Sequence, residues 1–86
     1  GVLLAERDFE GAEEYLASQL GRSPDSDAVV HWQLGRLYHF WNKASSAVNH
    51  LNRAVELATS AKNELLTIQV LSDLNAARAT QAKQKP

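Results

Sequence analysis

A glycine stands inside the clearest helical pattern of the chain, in Leu34-Gly35-Arg36-Leu37-Tyr38, and it narrows the possible folds more than any other feature. Glycine in a helix interior costs about 1 kcal/mol relative to alanine, so Gly35 needs a compensating contact. A second helix at close range supplies one. Ala47, Leu51 and Ala54 follow at helical spacing, and an antiparallel pair over 28–40 and 44–60 puts Gly35 and Ala47 where two backbones meet. Leu34, Leu37, Tyr38, Leu51 and Ala54 then fill the seam.

The same residues resemble a tetratricopeptide repeat, whose pattern runs L-G-x2-Y in the first helix and A-x3-F in the second. The resemblance implies an all-α chain of antiparallel helix-turn-helix repeats, a segment of a right-handed alpha-alpha superhelix. Several positions depart from the family's pattern: His31 stands where its tryptophan is expected, with Trp32 beside it, and Ala44 replaces an aromatic. Asn42 occupies a place usually held by glycine, and Asn tolerates left-handed geometry better than most residues. Thr59 stands where a closing proline would be.

One domain over 1–86 is expected, divided into a partial repeat (1–26), a full repeat (27–61), the first helix of a third repeat or a capping helix (62–82) and a frayed tail (83–86). Ala12 and Leu16 lie 35 residues before Ala47 and Leu51, which marks the partial copy, although Gln19 falls where a small residue should be. Helices are expected near 9–20, 27–41, 44–60 and 63–80, after a stub at Gly1 to Glu6, with Asp8-Phe9-Glu10-Gly11-Ala12 resembling the turn and opening of a repeat's second helix. Gly21 is a C-terminal stop, Ser23-Pro24-Asp25 a loop, and Ser26 or Asp27 the cap of the next helix. Gly1 in place of an initiator Met, in a chain that opens partway through a helical pattern, leads to the expectation of a fragment of something longer.

At 100° per residue, Val30, His31, Leu34, Leu37 and Tyr38 share one arc of the central helix, and Val29, Trp32, Arg36, His39 and Phe40 share the opposite one. In tetratricopeptide-like solenoids the first helices of successive repeats line a concave groove. The resemblance turns the second arc toward that groove. Leu66, Val70 and Leu74, 34 residues beyond Trp32, Arg36 and Phe40, join it, while Leu65, Ile68 and Leu71 belong to the inward set. The candidate partner-binding residues are therefore Val29, Trp32, Arg36, His39, Phe40, Leu66, Val70 and Leu74. Trp32 and Phe40 could equally pack between helices, the reading slightly preferred for Phe40, and Arg36 could meet a ligand carboxylate or lie along the surface. The stripe lacks the Lys and Asn residues with which some members of the family grip a C-terminal carboxylate, so an amphipathic helix or an extended apolar peptide is the better fit.

Function follows as an expectation: a protein-protein interaction scaffold that binds a partner helix or apolar peptide through the groove. The alternative is a structural segment of a larger solenoid, or a homo-oligomerisation module with no separate ligand. Residues 63–80 are apolar nearly all the way round, which favours self-association through that helix or through Val2-Leu3-Leu4. Net charge of −1 lacks the basic footprint of a nucleic-acid binder. The charge is uneven, since residues 1–27 hold seven acids and two bases and residues 28–86 three acids and seven bases. Head-to-tail attraction between chains is one consequence of such polarity, and differently solvated helix faces another.

Without cysteine the chain has no disulfide, thiol nucleophile or cysteine metal site. No two of His31, His39 and His50 share the i, i+4 spacing of a helical metal pair, and no phosphate-cradling or nucleophile motif occurs. No catalytic activity, cofactor or metal is expected. No signal peptide or membrane span is visible and no membrane partner is expected; the location is left open, with the cytoplasm as the expectation.

Overall fold

The computed structural model describes residues 2–84, with the backbone alone for residues 2–7. Its helices are α1 (Val2–Ser18), α2 (Pro24–Phe40), α3 (Ala44–Ser60) and α4 (Glu64–Gln84), and no strand occurs among the described residues. Cross-helix contacts fix their directions. Glu13 meets Tyr38 while Phe9 meets Trp41, so α1 and α2 are antiparallel. His31 with His50 and Gly35 with Ala47 show the same for α2 and α3, as do Asn52 with Arg78 and Ser45 with Gln81 for α3 and α4. Trp32 with Asp73 and His39 with Thr80 advance together, so α2 and α4 run parallel. Helix α3 packs broadly on both α2 and α4, which touch each other along one edge.

Two of the connections are the same turn. After α2, the Lys43 amide donates to the Tyr38 carbonyl at 2.8 Å and the Asn42 amide to His39 at 3.2 Å. After α3, Asn63 donates to Ala58 at 2.9 Å and Lys62 to Thr59 at 3.0 Å. This paired pattern closes a helix through one left-handed residue. Those residues are Asn42 (φ 63°), as expected, and Lys62 (φ 60°), which the sequence did not suggest. Gly21, with φ 89°, supplies the left-handed position after α1.

The core is narrow because alanine builds much of it. Ala28, Ala44, Ala47, Ala54, Ala58 and Ala77 are buried, and the largest fully enclosed side chains are Leu34, Leu51 and Val70. Small residues at a helix contact let the axes come together at the short end of the usual range of about 8–10 Å. Ala47, Leu51 and Ala54 face inward as expected, Val48 and Ala58 are buried with them, and Asn49, Arg53 and Glu56 are exposed.

Several boundaries differ from expectation. Residues 2–18 form one helix in place of a stub, a turn and a second helix. Nothing in Asp8–Ala12 interrupts the hydrogen-bond ladder, since Gly11 alone costs only about 1 kcal/mol and no proline is present. Helix α2 starts three residues earlier than expected. Ser23 is its cap, accepting from the Ser26 amide at 3.1 Å, and Pro24 takes the first helical position, where its missing N–H is no loss. The Asp27 carboxylate instead accepts from the Gly21 amide at 2.9 Å and ties the loop to the helix. Helix α3 has the expected bounds. Helix α4 continues to Gln84, whose side-chain amide donates to Asn42 Oδ1 at 2.6 Å, so Lys83 and Gln84 are helical where a frayed tail was expected. The side chains of Val2, Leu3 and Leu4 and the last two residues lie outside the described residues.

The two faces of α4 are exchanged relative to expectation. Leu66, Val70, Leu74 and Ala77 are buried, whereas Leu65 (69% exposed), Ile68 (64%) and Leu71 (40%) lie at the surface. The cause is the order of partners. The inward set of α2 packs on α3, the helix that follows it, but α4 packs on α3 as the helix that precedes it. Its buried stripe is therefore the other one.

Candidate interaction site between α2 and α4

The parallel edges of α2 and α4 leave an open groove lined by Trp32 and Arg36 on one side and Ile68, Gln69, Ser72 and Asp73 on the other. Trp32 and Arg36 lie four apart, one helical turn, and so project from α2 one above the other. The Trp32 indole N–H donates to Asp73 Oδ2 at 2.6 Å. The Arg36 guanidinium sits over the indole, 5.5 Å from the ring centroid, with its Nε 3.9 Å from the same carboxylate oxygen. One acid thus holds both residues. Arg36 stays half exposed, and the carboxylate it meets is its own protein's.

Of the sequence candidates, Trp32, Arg36 and His39 face α4, with the His39 ring nitrogen Nε2 2.9 Å from Thr80 Oγ1. Val29 and Phe40 are exposed, Phe40 at 76%, so the packing role preferred for Phe40 is not what the structure shows. At 100° per residue Phe40 falls beside Val29 on α2, away from Trp32 and His39 on the edge that meets α4. Leu66, Val70 and Leu74 drop out as contact residues because they are in the core. Ile68 takes their place. It borders the α2–α4 groove and also a second open depression at the α3–α4 turn, lined by Thr59, Lys62, Asn63, Glu64 and Thr67. The sequence signal for Ile68 was present in the two apolar stripes of α4, but it was assigned to the inside.

A second cluster escaped the sequence reading because its members are far apart in the chain. Phe9, Trp41, Tyr38, His50 and His31 form a continuous series of stacked rings across α1, α2 and α3, neighbouring centroids lying 5.2 to 6.1 Å apart. The Nδ1 atoms of His31 and His50 are 3.0 Å apart, so one ring donates and the other accepts. Burial lowers the pKa of both. Asp27 opposes this at His31 while Arg53 reinforces it, and His31 lowers His50 further against the pull of Glu13. Tyr38 donates its phenolic proton to Glu13, and burial together with that bond pushes its pKa up to about 12. The cluster fastens α1 to the α2–α3 pair. Among the described residues no group of three or more His, Cys, Asp or Glu side chains is placed to hold a metal ion, and no helix is long and apolar enough to cross a membrane.

Compared with known proteins, the chain matches no family model, no curated protein and no solved structure.

Proposed function

We propose that this chain is a protein-interaction scaffold of tetratricopeptide-like helical repeats, which takes a partner helix or apolar segment along the exposed face of α4 and the adjoining α2–α4 groove. One observation carries the reading: α4 is buried on one side by Leu66, Val70 and Leu74 and still presents Leu65, Ile68 and Leu71 to solvent on the other. Residues three apart stack along one helix face, so these form a continuous apolar strip with Trp32 and Arg36 beside it. Aromatic residues and arginine next to an apolar strip are the composition of interface centres. The repeat reading is supported by the close approach at Gly35 and by parallel α2 and α4 alternating with α3. Selection from a displayed library of helical peptides tests it. The wild-type chain should enrich peptides with an apolar stripe, and Ile68→Glu, at an exposed position and with unchanged melting, should lose that enrichment. Equal selection by the two proteins would sink the proposal.

A further inference from the structure

We infer that the face of α4 is filled by α1 of a second copy of this chain, in a head-to-tail contact that repeats the α2–α3 packing. The inference rests on reading the α4 face as a docking surface and names its occupant.

The internal correspondence supplies the register. Ala12, Tyr15 and Leu16 of α1 stand 35 residues before Ala47, His50 and Leu51 of α3, the residues that lie on α2. Leu65, Ile68 and Leu71 of α4 stand 34 residues after His31, Leu34 and Leu37 of α2, the arc turned toward α3. Within one chain α1 meets α2 through Phe9 and Glu13, with Ala12 and Leu16 partly covered beside them, and Tyr15 lies off that face. Tyr15 is left 66% exposed and Ala12 only partly covered. In the head-to-tail contact, Tyr15 of one copy meets Leu65 of the next, as His50 meets His31. Gln69 stands where α2 has Gly35, so the two helices sit farther apart than α2 and α3, and the larger side chains of Ile68, Leu71 and Tyr15 span the gap.

Charge favours this arrangement over a symmetric one built on α1. Asp8, Glu10 and Glu14 are exposed on α1, while Lys62 and Arg78 flank the α4 strip, with Glu64 and Asp73, the latter held by Trp32 and Arg36, as the acids beside it. Two α1 helices repel each other, whereas α1 against α4 brings the acidic first third of one chain to the basic remainder of another. A contact between two different faces leaves one of each free at the ends of any pair, so copies add beyond a dimer, in a row or in a closed ring.

Sedimentation equilibrium over micromolar to millimolar concentrations tests this. The wild type should pass beyond dimer as concentration rises, and 1 M salt, which shortens the screening length to about 3 Å, should weaken the association. Tyr15→Glu and Ile68→Glu, both at exposed positions, should each be monomeric alone and form a dimer that grows no further when mixed, because each retains the face the other has lost. Association of Tyr15→Glu at wild-type strength would overturn the head-to-tail contact in favour of α4 against α4. A wild type that stays monomeric throughout would overturn self-association, while peptide binding that is lost in Ile68→Glu and kept in Tyr15→Glu would leave the docking surface itself standing.

Discussion

Gly35 and Leu51 are in such close contact that no side chain fits between them. A Cβ placed on Gly35 would lie 2.5 Å from Leu51 Cδ2, nearer still to Leu51 Cγ, and 3.3 Å from the Ala47 carbonyl oxygen. Leu51 is fully buried. The helix cost of the glycine is offset by the packing it permits, and through Leu51 it sets the spacing of the α2–α3 pair on which α1 and α4 are built.

Gly35→Ala should therefore destabilise the chain even though alanine is the better helix former. Overpacking of this kind costs about 1–3 kcal/mol. Gly11 is the internal control, a helical glycine with open space where a Cβ would go. Gly11→Ala should stabilise by about 0.5–1 kcal/mol. Urea unfolding followed by circular dichroism measures both, and substitutions that shift the midpoint in the same direction would contradict the close contact.

The α3–α4 turn gives a second expectation. Lys62 carries a Cβ in left-handed geometry, which costs an ordinary residue about 1–2 kcal/mol. Lys62→Gly should raise stability by about 1 kcal/mol, and Asn42→Gly, at the equivalent turn, by less, because asparagine already tolerates that geometry. Matching thermal shifts for the two variants would argue against the strain at Lys62.

These two turns also show what was legible in the sequence. The α2–α3 pair could be read in detail because Gly35, Ala47, Leu51 and Ala54 are constrained by one another, and Asn42 is a residue type that announces a left-handed turn. Lys62 is not, so its turn was legible only as a short break. The faces of α4 were misassigned because both stripes are apolar, and periodicity cannot say which of two apolar stripes meets a neighbour when the neighbours differ from those of α2. For the same reason Ile68 entered the candidate site only with the structure. The ring series from Phe9 to His31 left no local signal, since its contacts join residues on three helices.

The histidine pair makes stability depend on pH. Both imidazoles have folded-state pKa values below the ordinary 6.5, so as pH falls below that value the unfolded chain takes up protons before the folded one does. Their contribution is fully present above about pH 6.5 and is lost as pH falls from there through the folded-state values. Protonating both rings would also place two cations at the 3.0 Å contact, with Glu13 of α1 and Asp27 of α2 as the nearby acids and Arg53 of α3 adding to the repulsion. Urea midpoints at pH 7.5 and 5.5 should fall for the wild type and change less for His31→Gln and His50→Gln. An equal fall in all three proteins would place the proton uptake elsewhere.

The bond from Trp32 to Asp73 joins two helices that otherwise meet only along an edge, so its contribution can be isolated. Asp73→Ala removes the acceptor of the indole N–H and the partner of Arg36 together. The carboxylate is partly exposed and water replaces some of what is lost, so the cost should be about 1 kcal/mol. Trp32→Phe keeps most of the ring and removes the donor. If the hydrogen bond is what both substitutions destroy, Trp32→Phe with Asp73→Ala should cost less than the sum of the two alone, by about 0.5 kcal/mol or more, whereas unconnected sites add. Asp73→Asn separates the charge from the geometry: it retains an acceptor oxygen for the indole, so it should be milder than Asp73→Ala and should become less harmful still as salt screens the attraction of Arg36 in the wild type. Additive costs in the cycle, measured by urea unfolding at low ionic strength, would show that the Trp32–Asp73 hydrogen bond does not help to hold α2 against α4.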